Sequence, residues 1–408
     1  MYKNLYNCIL WKLIFKMKNI IFVFTLIFIS SCGSDESEQI WHKGNLHTHS
    51  LWSDGDDFPE MIIKWYKDHN YQFIAISDHN TIAESEFWYE IKEIDKKNKT
   101  LEKYIKNFGE WVETKIDSNK QLVRLKKFDE YKLKMEIPDS FLVIRSEEVT
   151  TSFEEKPIHI NVTNIHEKIE ALKGKSVIDV MQKVLDEVHE QRKRLNIPMF
   201  AHINHPNFRY GISTEDMKRL NGERFFELYN GHPLVNNEGD EFNVDTETMW
   251  DLINIHYYKE GKPLLLGVAT DDSHSYHEFS AKKSNSGRGW VMVNSKKLEL
   301  RQLIDAMEKG NFYASTGVKI NKIDIDSDQL FISIEPEKGI DYEIIFLGYK
   351  EGKDEVQVLK KEKGVNAHYT FQNDDIFIRA KVNSNSKKDS PPMTEETKKA
   401  WTQPVLLK

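Results

Sequence analysis

Two histidines one residue apart, His47 and His49, with Asp54 five residues past the second, open the chemistry-bearing part of the chain. They stand in the run His47-Thr48-His49-Ser50-Leu51-Trp52-Ser53-Asp54-Gly55. On an extended strand alternate side chains share a face, so both imidazoles project to one side. Two imidazoles with a nearby carboxylate are the start of a metal site. A lone His-x-His is weak, but the chain repeatedly sets His, Asp or Glu just after a short apolar run. Residues 73–76 lead into Ser77-Asp78-His79-Asn80, and 141–144 into Ser146-Glu147-Glu148-Val149-Thr150. Residues 198–201 lead into His202-Ile203-Asn204-His205-Pro206, and 264–269 into Thr270-Asp271-Asp272-Ser273-His274. Residues 158–162 alternate around His159, and 225–229 end at Asn230-Gly231-His232-Pro233.

With a first strand near 45–49, these runs make seven strand candidates. Several are apolar throughout, as parallel strands buried on both faces are. Helix-like stretches at 60–69, 177–195 and 246–258 lie between them. Strand alternating with helix predicts a parallel α/β architecture. In β/α barrels the chemistry gathers at the C-terminal ends of the strands, where these polar residues fall.

As an ordered set, His-x-His-Ser-x-x-Ser-Asp-Gly, Ser-Asp-His-Asn, Glu-Glu-Val-Thr, a strand His, His-Pro and Asp-x-His resemble the polymerase and histidinol phosphatase (PHP) superfamily. The match runs from His47 to His274, and to Gly317 if Phe312-Tyr313-Ala314-Ser315-Thr316-Gly317 is included. The resemblance implies a distorted seven-stranded β/α barrel holding two or three divalent metal ions. It implies that His47, His49, Glu148 and Asp272 hold one ion. Glu148 would bridge to a second ion with His159 and His205, and Asp54, His79 and His274 would hold a third. Such a mixed imidazole and carboxylate set suits Zn, Mn or Fe. Glu147 stands beside Glu148, and Asp271 beside Asp272; the family pattern favours Glu148, next to Val-Thr, and Asp272, which makes Asp-x-His. His202 is the alternative to His205, which carries the following proline.

Other readings of these residues remain open at this level. Asp54-Gly55 is also a turn pair, and Asp78 reads better as a supporting hydrogen-bond group or helix cap than as a ligand. His42, His69, His166, His189, His256, His277 and His368 have no motif support. Metal-activated water attacking a phosphate ester is the leading expectation, with a small, anionic ester as substrate. A proton donor to the leaving group is then needed, for which His202, His232 and Asp271 are the candidates. Arg288, in Ser286-Gly287-Arg288-Gly289, is placed to contact an anionic substrate through its planar fork, or is a loop charge. Hydrolysis of a carbamate, amide or carboxylic ester, or metal-bound binding without catalysis, are the alternatives. No Gly-x-Ser-x-Gly, phosphate-binding Gly-x-x-x-x-Gly-Lys or Cys-x-x-Cys occurs, which disfavours serine, nucleotide-driven and thiol chemistry.

The N-terminus carries an address. Lys16-Met17-Lys18-Asn19 precedes the apolar run 20–29 and Ser30-Ser31-Cys32-Gly33, a secretory pattern too short to span a membrane. Ile29-Ser30-Ser31-Cys32 resembles the bacterial lipobox, implying lipidation at Cys32 and anchoring to a bacterial membrane, periplasmic or at the cell surface. Segment 1–31 is thus a signal peptide, with Met17 as an alternative start, and 32–40 a tether. Cleavage removes Cys8 and leaves Cys32 as the one cysteine, so no internal disulfide forms. A formal net charge of −8 over 408 residues disfavours nucleic acid as a bulk partner. Residues 41–316 form the expected barrel, with a helical insertion at 84–139 whose aromatics are read as its own core. Residues 317–408 read as a small C-terminal β-sandwich, with 384–392 a polar loop. Within it, 376–382 and Trp401-Thr402-Gln403-Pro404 resemble the C-terminal extension of the carbaryl-hydrolase branch of the superfamily.

Overall fold

The structure, a computed structural model, describes residues 40–389 and 392–407. The expected signal segment, Cys32 and the tether up to residue 39 lie outside the described residues. Among those described, no helix is long and apolar enough to cross a membrane. Residues from Ile40 onward form one compact unit of mixed α/β class.

Strands β1 (Trp41–Asn45) and β2 (Phe73–Ile76) come first, followed by an excursion carrying β3 (Phe87–Glu90), β4 (Thr114–Asp117) and β5 (Lys120–Leu125). Then come β6 (Leu142–Phe153), β7 (Lys156–Thr163), β8 (Phe200–Ile203), β9 (Phe225–Asn230), β10 (Leu266–Thr270), β11 (Trp290–Asn294) and β12 (Phe312–Ser315). They are hydrogen-bonded in the order β10-β9-β8-β7-β6-β2-β1-β11-β12. β1, β2 and β6 run parallel, as do β8, β9 and β10. β7 is antiparallel to both neighbours, and β11 and β12 are antiparallel additions, so the all-parallel expectation is corrected. The cause at β7 is the connection. Only Glu154 and Glu155 separate it from β6, and a parallel return needs a crossover of about a dozen residues. Glu154 makes the tight turn at φ 53°.

Helix Val177–Leu195 shows how the sheet is covered. Val177, Val180, Met181, Val184, Leu185 and Val188 recur at three- and four-residue spacing and are all buried, in one cluster with Ile158, Ile160, Val162 and Ile203. Ser176 caps its start by accepting the Asp179 N–H, and Asn196 ends it in the left-handed region at φ 54°. Each such aliphatic side chain stabilises the fold by roughly 1.5–3 kcal/mol.

The insertion, expected to be helical, is only partly so: β3, β5 and β4 form a three-stranded sheet beside its helices. Phe87-Trp88-Tyr89 is an aromatic run of strand type set in Lys- and Glu-rich surroundings that mask it. Tyr89, Leu101, Tyr104, Val123 and Leu125 are buried around Leu51 and Phe58, so the insertion packs on the segment that follows His49. The Phe58 and Tyr104 rings stack at 4.0 Å.

After β12 come β13 (Ile320–Ile325), β14 (Gln329–Ile334), β15 (Tyr342–Lys350), β16 (Gln357–Lys363), β17 (Asn366–Thr370), β18 (Asp375–Asp389), β19 (Pro392–Thr402) and β20 (Val405–Leu406). β13, β14 and β17 form one sheet, and β19-β18-β15-β16 continue the large sheet through pairing of β12 with β19. One apolar cluster, including Ile332, Ile344, Phe346, Tyr369 and Val382, joins residues of both sheets. Of the polar stretch expected as a loop at 384–392, the described residues 384–389 and 392 lie instead in two paired strands, with Asn383 opposite Lys399 and Lys387 opposite Thr397; 390 and 391 lie outside the described residues. Antiparallel pairing supplies what its Ser, Asn and Lys side chains do not.

Candidate metal centre

β1 ends at Asn45, and His47 and His49 follow in the segment beyond it. Asn45 anchors that segment, its Nδ2 donating to the His47 carbonyl at 2.9 Å and to Thr48 Oγ1 at 2.6 Å. The His49 N–H donates to the Ser273 carbonyl at 3.0 Å, and the Ser77 N–H to the Thr48 carbonyl at 2.9 Å. Those bonds set the first histidine pair beside the ends of β10 and β2. Asp78 is a support here. It accepts from the Ser50 N–H and Oγ, both at 2.7 Å, and from Ser53 Oγ at 2.6 Å, which folds the chain back toward His49. At Gly55 a Cβ would lie 2.4 Å from the His49 carbonyl oxygen, so this turn requires glycine.

Four expected ligands meet in an inner cluster. His47 Nε2 lies 3.0 Å from His49 Nε2, 3.4 Å from Glu148 Oε1 and 3.2 Å from Asp272 Oδ1. His49 Nε2 lies 3.3 Å from both Glu148 Oε2 and Asp272 Oδ1. All four residues are buried. His159 Nδ1 approaches Glu148 Oε1 to 3.0 Å, and His205 Nε2 approaches the same oxygen to 3.5 Å. An outer group borders it. Asp54 Oδ1 lies 3.3 Å from His274 Nε2, and Asp54 Oδ2 lies 3.5 Å from His79 Nε2. Asp54 is 58% exposed where Glu148 is 1% exposed, so the outer group is the mouth and the inner cluster the floor. His79 spans the two, its Nδ1 lying 2.6 Å from Glu148 Oε2.

The donor set fits divalent ions. Donor atoms 3.0–3.4 Å apart are spaced like the corners of a tetrahedron about 2 Å from its centre, the bond length of His and carboxylate ligands. A proton shared by two of these atoms would leave the others facing one another uncompensated, and buried charge is costly. Burial alone would push the Glu148 carboxyl up, but His79, His159 and His47 hold it well below the usual range. His49 is pushed down to about 3, by burial first and then by His274 and His79, so it stays neutral and able to ligate. The His274 Nδ1–H donates to the Asp272 carbonyl at 2.9 Å, which turns Nε2 outward as the free lone pair.

β-strand alternation separates Glu147 from Glu148, and the turn beyond β10 separates Asp271 from Asp272. Glu148 faces the cluster, while Glu147 faces the opposite way and accepts from the Ile169 N–H at 2.9 Å, its carboxyl pushed up to about 7 by burial. Asp272 faces the cluster, while Asp271 accepts from Tyr66 Oη at 2.7 Å and from the N–H groups of Gly287, Arg288 and Gly289 at 2.6–2.9 Å. Asp271 is thus committed to holding a loop, which corrects its reading as a proton donor. Arg288 is corrected too. Its guanidinium is buried and donates to the Gly231 and Ser280 carbonyls, each at 2.7 Å. His202 is fully buried and 3.6 Å from Glu227 Oε1, too far to hydrogen-bond, so neither ring nitrogen has a partner. It borders the cluster beside Glu227 and His47. His232 accepts the Leu234 N–H at Nδ1, which leaves an Nε2–H; burial pushes it down to about 4, so it is neutral at pH 7.

Glu227 was not singled out from the sequence, yet it organises the floor. It accepts from Thr270 Oγ1 at 2.7 Å, from Asn230 Nδ2 at 2.8 Å and from the His205 N–H at 2.7 Å. Its Oε1 also lies 2.7 Å from His47 Nδ1, so that nitrogen carries the proton and Nε2 faces the cluster as a lone pair. The signal was there: a carboxylate inside the apolar strand Phe225-Phe226-Glu227-Leu228 is a buried charge that must have partners. His205 at φ 22° and Asp272 at φ 49° are held in positive-φ conformations that few side chains adopt, strain that concentrates at functional sites. Asn204 also reaches in, donating to Glu148 Oε1 at 2.7 Å. Glu227→Gln is expected to weaken binding of Mn or Zn by about 10–100-fold with the fold intact, measured by competition against a metallochromic chelator.

No family model matches the chain, and no curated protein does. Among solved structures, a two-domain protein from Bacteroides vulgatus containing a predicted PHP-like metal-dependent phosphoesterase is similar at 13% identity and TM-score 0.39. It covers 85% of this chain and 90% of its own. An inferred metal-dependent phosphoesterase from Bifidobacterium adolescentis is similar at 11% identity and TM-score 0.29, covering 59% of this chain and 91% of its own. At these values activity has to be argued from the ligand set itself.

Proposed function

We propose that the protein is a metal-dependent hydrolase acting on phosphate esters, built on the distorted seven-stranded barrel of the PHP superfamily with a sandwich-like C-terminal extension. The observation that carries this reading is the buried meeting of His47, His49, Glu148 and Asp272 beneath the more open group Asp54, His79 and His274. In this reading the inner four hold one divalent ion, Glu148 with His159 and His205 a second, and Asp54, His79 and His274 a third, with Zn, Mn and Fe all suited. Bound there, such ions supply ionised water near neutral pH and neutralise charge on a phosphoryl or carbonyl oxygen. The chain's own residues do the rest. Glu227, Asn204 and Asp78 hold the ligands in orientation, the exposed Asp54 edge admits substrate, and His232 offers a neutral Nε2–H as a hydrogen-bond donor.

The test is turnover by the Mn- or Zn-loaded protein on a panel pairing phosphate monoesters and diesters with carboxylic and carbamate esters. Phosphate release that disappears in His49→Ala is the expected result; selective cleavage of the carbonyl esters would replace the phosphoesterase reading. We further propose export and lipid anchoring through Cys32, supported by the apolar run 20–29 and the lipobox-like Ile29-Ser30-Ser31-Cys32. Cys32→Ser is expected to move the protein out of the membrane fraction, and continued anchoring would contradict this.

A further inference from the structure

Away from the metal centre, two cavities share a wall made of Lys43, Gly287 and Trp290. The larger, about 460 Å³, is lined by the cations Lys43, Arg288, Lys319, Lys387, Lys388 and Lys398 and by the carboxylates Glu335 and Glu337. The other, about 360 Å³, is lined by Trp65, His69, Tyr71 and Phe279. Both volumes are of the size that small ligands occupy. None of the metal-centre ligands lines either one.

The charges in the larger cavity do not cancel. Lys319 pairs with Glu335 at 3.3 Å, Lys398 with Glu337 at 2.9 Å and Lys388 with Glu396 at 2.6 Å. Lys43 makes no ion pair among the described residues, while the buried Arg288 guanidinium adds positive charge behind the wall and is held by the Gly231 and Ser280 carbonyls. The Lys43 ammonium is clamped 3.7 Å above Tyr71 and 4.0 Å above Trp290, which fixes its position without a direct ion pair. Burial pushes Lys43 and Lys388 down to about 8, as expected where cations are held together out of water. In the smaller cavity the Trp65 ring stacks on His69 at 3.8 Å and lies parallel to Phe279 at 6.0 Å, an aromatic surface beginning where the cationic one ends.

We propose that the paired cavity is a second binding site, for a small anion that carries a ring: the negative group against Lys43, the ring against Trp65 and Trp290. The site is independent of the metal chemistry. It is tested with 2-naphthalenesulfonate, which has no ester to hydrolyse, titrated into the metal-loaded full chain by calorimetry and tryptophan fluorescence. Saturable binding is expected, with 2-naphthol and inorganic sulfate each much weaker. Removing a charged partner from a desolvated contact costs about tenfold or more, so Lys43→Met is expected to lose that much affinity. Lys43→Arg should keep most of the affinity, and both variants should keep full metal content. No saturable binding by the unaltered chain, equal binding of 2-naphthol, or sulfonate binding unchanged in Lys43→Met would each overturn the proposal. The last outcome would place the sulfonate at the metal centre instead.

Discussion

Glu148→Gln is expected to lower kcat/KM on a phosphate ester by on the order of 10³-fold and to reduce bound metal by at least one ion per chain. Glu148 is where the groups converge. Its Oε1 faces His47, His159 and His205 at 3.0–3.5 Å, and its Oε2 faces His49 at 3.3 Å and His79 at 2.6 Å. Glutamine keeps the volume and the bond from Asn204, so the fold has no reason to fail. The loss falls on the anionic charge that imidazoles alone cannot supply to a divalent cation. Elemental analysis of dialysed protein and steady-state kinetics would check this. Full metal content with unimpaired turnover would remove Glu148 from the centre.

Arg379→Met is expected to destabilise the fold by about 3–5 kcal/mol, the cost of leaving the largely enclosed Asp251 carboxylate without its cation and of losing the guanidinium's packing. Arg379 lies in β18, 1% exposed, and grips Asp251 of the helix Thr246–Lys259 through Nε at 2.9 Å and Nη2 at 2.8 Å. Its guanidinium also lies 4.9 Å above the buried Trp250 ring, and Glu247 stands 3.8 Å away. This fork is a clamp between the C-terminal strands and the helical layer of the preceding region. Urea unfolding followed by circular dichroism would show a lower midpoint with little change in slope. Metal content of the folded variant should be unchanged, since no metal-centre ligand touches Arg379. A shift below about 1 kcal/mol would mean that the pair contributes no more than an exposed one.

Several of the side chains that meet at the centre were legible in the sequence because they follow an apolar run, where a polar residue stands out. His79 after 73–76 and Asp272 after 264–269 are examples. Strand direction was not legible. An apolar run such as 158–162 reads alike in parallel and antiparallel strands, and only the two-residue link Glu154-Glu155 reveals which it is. β11 was hidden behind Ser286-Gly287-Arg288-Gly289, whose loop chemistry is real but gives way at once to Trp290–Asn294. Arg288 and Asp271 misled for one reason. Residue type shows what a side chain can bind, while the carbonyls and N–H groups that occupy these two become neighbours only on folding. Glu227 was overlooked because it sits inside an apolar run instead of after it.

The central claim is that His47, His49, Glu148 and Asp272 enclose a divalent ion. Anomalous diffraction from crystals grown with Mn, collected on both sides of the metal edge, tests it directly. A metal-specific peak within bonding distance of all four side chains is the predicted result. A metal-saturated crystal whose peaks all lie elsewhere would contradict it.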